Sequence, residues 1–168
     1  MVPSLEAPVS TPVRPPTFIT HPPRKVAFLC IHNSSRSQMA EGFARAMAPR
    51  GVEVWSAGTS PTRVHPAALQ VMKEVGVDLS AHTSKRLEDI PWAEADTIVT
   101  LCGEAEEACP VVAGDVRRVH WPLPDPSAAP EESLLEAFRE VRDEIRWRIS
   151  SLWPAGDQAP ERPGLPRG

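Results

Sequence analysis

The sequence is poor in cysteine and lacks tyrosine, long apolar runs and a recognisable secretory signal. Its 168 residues include only three cysteines and no tyrosine. No apolar run reaches the roughly 18 residues of a membrane-spanning helix, so we expect no membrane partner. The N-terminus lacks a basic start followed by an apolar run, so no secretory signal is recognised and a cytoplasmic location is expected. In a reducing cytoplasm, cysteines more often serve catalysis, redox exchange or metal binding than structural disulfides.

An excess of positive charge is also absent. The formal net charge is −4 at pH 7, which predicts no positively charged surface for nucleic acid. We therefore expect no nucleic-acid partner.

Proline, in contrast, is abundant and unevenly spread. Of the 20 prolines, seven lie in residues 1–24 and four in residues 154–168. Because proline has no backbone N–H and fixes φ, both ends resist regular structure. We predict disordered tails at 1–24 and 155–168, and one catalytic domain at 25–154 that is long enough to bury its own core.

Strand-like and helix-like segments alternate within this domain. The strand candidates are 25–30, 52–57, 96–102 and 117–121, and helical periodicity begins near residues 37, 66 and 131. The alternation predicts an α/β fold of three layers, in which a four-stranded parallel sheet carries helices on both faces. Ligands of such sheets bind beyond the carboxyl ends of the strands. Cys30 and Cys102 each end a predicted strand, so we expect both to face one crevice.

The segment Cys-Ile-His-Asn-Ser-Ser-Arg-Ser at 30–37 lies between the first strand and the first helix. Backbone N–H groups and the helix dipole make such a loop an anion site. Arg36 adds a planar fork of donors that suits a tetrahedral oxyanion, and the same surroundings favour the thiolate of Cys30 as nucleophile. The predicted substrate-binding residues are Ile31, His32, Asn33, Ser34, Ser35, Arg36 and Ser37.

This loop is followed by further motifs in a recognisable order. The run at 30–42 reads Cys-x-x-Asn-Ser-x-Arg-Ser-Gln-Met-Ala-Glu-Gly, and later come Trp-Ser-Ala-Gly at 55–58, His-Thr-Ser at 82–84 and Cys-Pro at 109–110. Further matches lie at 99–102, 120–121, 125–126 and 141–145, so the motifs span nearly all of 25–153 in order. The sequence resembles the thioredoxin-coupled arsenate reductases, which share the fold of the low-molecular-weight protein tyrosine phosphatases.

The resemblance implies a relay of three cysteines. Cys30 would attack arsenate, Cys102 would resolve the adduct and release arsenite, and Cys109 would then attack Cys102. Thioredoxin would reduce the final disulfide, and no cofactor would be bound. If the residues between Cys102 and Cys109 form a helix, the two Cα atoms lie about 10 Å apart. A disulfide needs less than about 7 Å, so pairing requires that helix to unwind.

Two further residues are assigned roles. Asp125 lies in a proline-rich loop, and the resemblance implies that its carboxyl protonates a leaving oxygen or acts electrostatically. Potassium-responsive members of the family carry an acidic residue directly after His-Thr-Ser, where this chain has Lys85. We predict that no metal is needed because the Lys85 ammonium, supported by Asn33, Glu41 and Ser56, occupies the place of the cation.

Two other functions are consistent with the loop. A phosphatase would use Cys30, Arg36 and Asp125 through a phospho-cysteine that water hydrolyses, and weak phosphatase activity is expected even of a reductase. A non-catalytic protein that binds oxyanions or arsenic would need the loop alone. Cys102 and Cys109 favour reduction because neither alternative gives them a role, and the lack of tyrosine also weighs mildly against a phosphatase.

Overall fold

The computed structural model describes residues 21–103 and 116–153. In these ranges there are four strands, β1 (Lys25–Cys30), β2 (Glu53–Gly58), β3 (Thr97–Thr100) and β4 (Arg117–His120). Three α-helices lie between or after them, α1 (Arg36–Met47), α2 (Pro66–Glu74) and α3 (Leu134–Leu152). Every predicted strand and helix of the described ranges is present, although the third strand ends at Thr100, before its predicted end at residue 102.

The four strands form one sheet in the order β2-β1-β3-β4, and every neighbouring pair is parallel. The parallel four-stranded sheet predicted from the sequence is therefore confirmed. β1 is central, with Cys30 opposite Gly58 of β2 and Leu29 opposite Thr100 of β3. This register places the end of β1 between its two neighbours, at the carboxyl edge of the sheet.

The two faces of the sheet are covered unequally. Val26 and Phe28 of β1 point into the larger core, which the apolar sides of all three α-helices complete. Ala27 and Leu29 point to the other face, where they pack with Ile90, Ala95 and Ile98. In the described ranges, short 3-10 turns at Leu87–Asp89 and Trp92–Glu94 cover that face. The sheet is thus the middle of three layers.

Residues 21–24, at the end of the predicted N-terminal tail, lie against this domain. The Trp153 indole N–H donates a hydrogen bond to the Pro23 carbonyl at 2.9 Å. The Arg24 backbone N–H donates to the Asp96 carboxylate at 2.9 Å. Residues 1–20 and 155–168 of the predicted tails lie outside the described residues, as does Cys109.

None of the helices in the described ranges is both long enough and apolar enough to cross a membrane.

Candidate active site

The loop at residues 30–37 joins the end of β1 to the start of α1, as the sequence predicted. Cys30 is the last residue of β1 and Arg36 is the first of α1. Both are buried, with 2% and 3% of their surface exposed. A thiol and a guanidinium therefore lie at the two ends of one loop, beside the positive end of the α1 dipole.

The hydroxyl of Ser37 holds the Cys30 thiol. Ser37 Oγ lies 2.8 Å from Cys30 Sγ. The backbone N–H of Lys85 donates to Asn33 Oδ1 at 2.9 Å, which fixes the orientation of the Asn33 amide. Asn33 Nδ2 must then be the donor to Ser37 Oγ, at 2.8 Å. Since Ser37 accepts from Asn33, its own hydrogen is available for the Cys30 sulfur.

Asn33 itself adopts the left-handed conformation that its residue type suggests. Its φ is 47°, the one positive φ among non-glycine residues of the described ranges. Gln38 clamps it, because Gln38 Nε2 lies 3.1 Å from the Asn33 carbonyl oxygen and 2.9 Å from Oδ1. Gln38 is fully buried in α1. The loop conformation is thus supported from beneath by a side chain that the sequence did not single out.

A charged cluster lies under the loop around the buried carboxylate of Glu41. Ser56 Oγ donates to Glu41 Oε1 at 2.7 Å, and Lys85 Nζ lies 3.6 Å from the same oxygen. His82 Nδ1 and Arg45 Nε lie 3.0 and 3.3 Å from Oε2. Burial lowers the pKa of His82, and the Glu41 carboxylate partly opposes this shift. Lys85 Nζ also donates to the Thr83 carbonyl at 2.7 Å.

Of the three residues predicted to support Lys85, two contact it directly. It reaches Glu41 through its ammonium and Asn33 through its backbone N–H. Ser56 joins the cluster through Glu41 and through a 2.9 Å hydrogen bond from Asn33 Nδ2. The Lys85 ammonium thus lies beside Glu41, in the cluster beneath the loop at residues 30–37.

A pocket of about 200 Å³ opens over Cys30. The loop contributes five of its lining residues, and three come from elsewhere in the chain. The lining consists of Cys30, His32, Ser34, Ser35, Arg36, Thr62, Asp125 and Ser127. Of the other predicted binding residues, Asn33 and Ser37 are buried beneath the loop. The Ile31 carbonyl is tied to the Ser60 N–H at 2.8 Å.

Asp125 reaches the same pocket from the loop after β4. Its Oδ1 accepts hydrogen bonds from the Ser127 backbone N–H at 3.0 Å and the Ser127 hydroxyl at 2.7 Å. Proline residues on both sides restrict the backbone of this loop. A carboxyl group is therefore held at the pocket, in a place from which it can exchange a proton with a bound ligand.

Arg36 ties the pocket to the strand ends. Its Nη1 donates to the Leu123 carbonyl at 3.0 Å and lies 3.4 Å from the Leu101 carbonyl. These carbonyls precede Asp125 and Cys102 in the chain. The guanidinium thus links the oxyanion loop to both segments that carry the other predicted site residues.

Cys102 lies two residues beyond the end of β3, the strand next to β1. The Leu101 N–H donates to the Leu29 carbonyl at 2.9 Å, and Cys102 and Cys30 are the residues that follow this pair. Cys102 is fully buried and disulfide-bonded, whereas Cys30 is a free thiol. Cys109 lies outside the described residues.

Several residues of the site were not found from the sequence. Thr62 and Ser127 line the pocket, and Gln38 clamps Asn33. Gly58 matters because a Cβ there would lie 2.4 Å from the Ile31 carbonyl oxygen. Gly58 ends a predicted strand, which is a weak signal for close backbone contact. Nothing in the sequence marks Thr62, because its role depends on the fold.

The comparison with known proteins agrees with this geometry. A family model described as low molecular weight phosphotyrosine protein phosphatase matches residues 25–159. The chain belongs to this family. It is also similar to an arsenate reductase of Halalkalibacterium halodurans, with 41% identity over 133 residues that make up 78% of this chain and 96% of that one.

Solved structures in the family give the same result. An arsenate reductase in its phosphate binding state has a TM-score of 0.65 and 36% identity, covering 77% of this chain and 95% of that one. A thioredoxin-dependent arsenate reductase of Corynebacterium glutamicum has a TM-score of 0.58 and 30% identity, covering 80% of this chain and 64% of that one. The family resemblance and fold class predicted from the motifs are therefore confirmed.

Proposed function

We propose that this protein reduces arsenate to arsenite through Cys30, Cys102 and Cys109, with thioredoxin as the reductant. The observation that carries the proposal is the pairing of Leu101 with Leu29, which puts Cys102 and Cys30 on adjacent strand ends. One of the two is a free thiol in an oxyanion pocket and the other is disulfide-bonded. A hydrolase needs the first and has no use for the second.

The first step binds and activates the oxyanion. The loop amides and the Arg36 guanidinium hold arsenate above Cys30. The Cys30 thiolate, held by Ser37, forms a bond to arsenic, and an arsenic–oxygen bond breaks with loss of water. The Asp125 carboxyl supplies the proton to the leaving oxygen. The similar arsenate reductase solved in a phosphate binding state supports a tetrahedral oxyanion as the ligand.

The second step is the reduction. The Cys102 thiolate attacks Cys30 Sγ, the sulfur–arsenic bond breaks, and its electron pair stays on arsenic, which leaves as arsenite. Two thiols are thereby oxidised to one Cys30–Cys102 disulfide while arsenic(V) becomes arsenic(III). Cys109 then attacks Cys102, which frees Cys30 and leaves a Cys102–Cys109 disulfide for reduction by a thioredoxin dithiol.

The bonded Cys102 and free Cys30 match the last state of this cycle. We propose Cys109 as the partner of Cys102 because the chain has three cysteines and Cys30 is free. The similar thioredoxin-dependent arsenate reductase supports thioredoxin as the reductant. The reducing cytoplasm, where thioredoxin operates, is the proposed place of action, and no bound cofactor is needed.

A coupled assay tests this function. The protein is mixed with arsenate, thioredoxin, thioredoxin reductase and NADPH, and the loss of NADPH is followed. We expect turnover by the native chain and none by Cys30→Ser, Cys102→Ser or Cys109→Ser. Full thioredoxin-dependent turnover in all three variants would show that the relay is wrong.

The second candidate function, hydrolysis of phosphate esters, provides the matched control. Asp125 at the pocket and the family itself favour some hydrolysis of a phenyl phosphate ester. This side reaction should be lost in Cys30→Ser but retained in Cys102→Ser and Cys109→Ser, which shows that their loops are intact. A native chain that hydrolyses the ester but never reduces arsenate would establish the phosphatase instead.

A further inference from the structure

The pocket lining contains a single ring. Among the described residues that line it, His32 is the one aromatic side chain, and the others are small, hydroxylated or charged. Cys30 lies buried at the base, whereas His32 is exposed. The imidazole therefore belongs to the outer part of the pocket, away from the attacking sulfur.

One hydrogen bond orients this ring, and two more fix the backbone that carries it. His32 Nδ1 lies 3.0 Å from the Ser60 carbonyl oxygen, and because a carbonyl only accepts, Nδ1 carries the proton and donates it. The His32 carbonyl accepts from Ser84 Oγ at 2.8 Å and from the Thr62 N–H at 3.3 Å. The backbone and the ring of His32 are thus both hydrogen-bonded to segments outside the loop, which places the ring at the rim of the pocket.

The direction of attack decides what meets this ring. In an in-line displacement the leaving oxygen lies opposite the attacking atom. With Cys30 at the base, that oxygen points outward, towards the rim of the pocket. A free oxyanion carries at most a proton there. A phosphate monoester carries its organic group there, in the part of the pocket where the His32 ring lies.

We propose that His32 is a specificity-determining residue that makes this site prefer free tetrahedral oxyanions, because its ring hinders the organic group of a phosphate monoester. The proposal rests on the proposed function and deepens it, since it names the substrate class that the pocket selects. It predicts that ester hydrolysis by this chain is weak, although the oxyanion loop itself is complete.

Binding to the reduced protein tests the proposal without turnover. Inorganic phosphate and phenyl phosphate each protect Cys30 from alkylation by iodoacetamide when they occupy the pocket, and peptide mass spectrometry follows the modified Cys30. Two variants are compared with the native chain. His32→Ala removes the ring at a position whose φ is not positive, so alanine causes no backbone strain. His32→Asn keeps an amide N–H for the Ser60 carbonyl but lacks the outer part of the ring.

We expect phosphate to protect the native Cys30 at concentrations at least tenfold lower than phenyl phosphate. In both variants the ratio of the two protection constants should fall towards one, by about tenfold. The proposal is overturned if the ratio is unchanged or if both ligands weaken in parallel. If phosphate gives the native Cys30 no protection, the oxyanion site on which both proposals rest is contradicted. Arsenate reduction is not measured here, so a failed coupled assay contradicts the proposed function, and a failed ratio contradicts only the role of His32.

Discussion

At the scale of single residues, Asn33 connects the chemistry of Cys30 to the structure beneath it. Its amide is oriented by the Lys85 N–H, and its Nδ2 donates to Ser37 and Ser56 at 2.8 and 2.9 Å. Its left-handed backbone, at φ 47°, turns the chain so that these groups converge. One side chain thus sets both the hydroxyl at the sulfur and the path of the loop.

Replacing Asn33 tests this dual role. Asn33→Ala loses the buried hydrogen bonds and tolerates positive φ less well than asparagine, so we expect the free energy of unfolding to fall by about 2–3 kcal/mol. Asn33→Gly loses the same hydrogen bonds but tolerates the backbone, so it should be more stable than the alanine variant by about 1 kcal/mol. Both should bind phosphate at least tenfold more weakly. Chemical unfolding and phosphate titration measure these effects, and equal stability of the two variants would contradict the backbone argument.

Lys85 leads to a prediction about cations. Its ammonium lies 3.6 Å from Glu41 Oε1, so a positive charge is already present at the carboxylate that a bound cation would neutralise. We expect steady-state activity to differ by less than about twofold between potassium and sodium chloride at equal ionic strength. Tetramethylammonium chloride, whose cation is too large for the cluster, serves as the control and should give the same rate. Several-fold activation by potassium alone would refute the role given to Lys85.

Some residues of the site could be predicted from the sequence, and others could not. Cys30, Arg36 and Ser37 were predictable because they lie within one short segment between a strand and a helix. Asp125 and Cys102 required the family resemblance as well. Gln38 and Thr62 were not predictable, since Gln38 reads as one more polar residue of a helix and Thr62 as a loop residue. Their contacts join segments that are distant in the chain, and only the fold brings those together.

At the scale of elements, β2 supports the oxyanion loop through a close backbone approach. Gly58 ends β2 opposite Cys30, and a Cβ there would lie 2.4 Å from the Ile31 carbonyl oxygen and 2.8 Å from the Asn33 nitrogen. Both atoms belong to the loop backbone and have no room to rotate away. The strand can pack this tightly only without a side chain.

Gly58→Ala should therefore displace the loop. We expect a loss of about 1–3 kcal/mol in unfolding free energy and at least tenfold weaker phosphate binding. Gly42→Ala is the matched control, because its Cβ would meet the flexible side chains of Leu79 and Val77 rather than loop backbone. It should cost stability without weakening phosphate binding. If the two variants bind phosphate equally well, the close approach of β2 does not control the loop.

The N-terminus of α2 has an unusual cap. His65 precedes Pro66 and accepts a hydrogen bond from the Ala67 N–H on Nδ1 at 3.0 Å. Burial lowers the pKa of His65, while Asp125 raises it and Arg63 lowers it further. The unfolded chain, with a histidine pKa near 6.5, then binds more protons than the folded chain at mildly acidic pH. Stability from this group is present above about pH 6.5 and is lost as the pH falls through the folded pKa.

A substitution at this cap should flatten the pH dependence. Asparagine does not titrate and is a preferred N-cap residue, so His65→Asn should match or exceed native stability at pH 7.5 and lose less stability at pH 5.5. His65→Ala should be about 1 kcal/mol less stable than His65→Asn at pH 7.5. Some pH dependence should remain, because burial also lowers the pKa of His82. Denaturant unfolding at the two pH values measures the loss of stability. If His65→Asn loses as much stability between pH 7.5 and pH 5.5 as the native chain, the role of His65 is contradicted.

The elements were more predictable than their edges. The long apolar periodicity of α3 and the β-branched run of β3 mark both elements, because burial of one side imposes those patterns. The 3-10 turns at Leu87–Asp89 and Trp92–Glu94 left no such signal, since three residues are too few for a period. The packing of residues 21–24 against the domain was not predicted, because the prolines in this segment suggested a disordered tail.

At the scale of the whole molecule, the parallel sheet explains why a reductase can arise from a phosphatase family. Adjacent parallel strands end at the same edge, so residues that follow them become neighbours without being neighbours in sequence. Cys30 follows Leu29 and Cys102 follows Leu101, which are hydrogen-bonded to each other. Arg36 Nη1 lies 3.4 Å from the Leu101 carbonyl oxygen, next to Cys102. The sheet thus places a second cysteine beside the oxyanion loop, and in the proposed relay this cysteine is the resolving thiol.

The most direct test of the cysteine relay is a single turnover of Cys109→Ser with arsenate and no thioredoxin. We predict one arsenite released per chain and, after rapid acid quenching and digestion, peptides joined by a Cys30–Cys102 disulfide. The separate variant Cys102→Ser should release no arsenite under the same conditions. Release of arsenite without the Cys30–Cys102 linkage, or repeated turnover without Cys109, would contradict the relay.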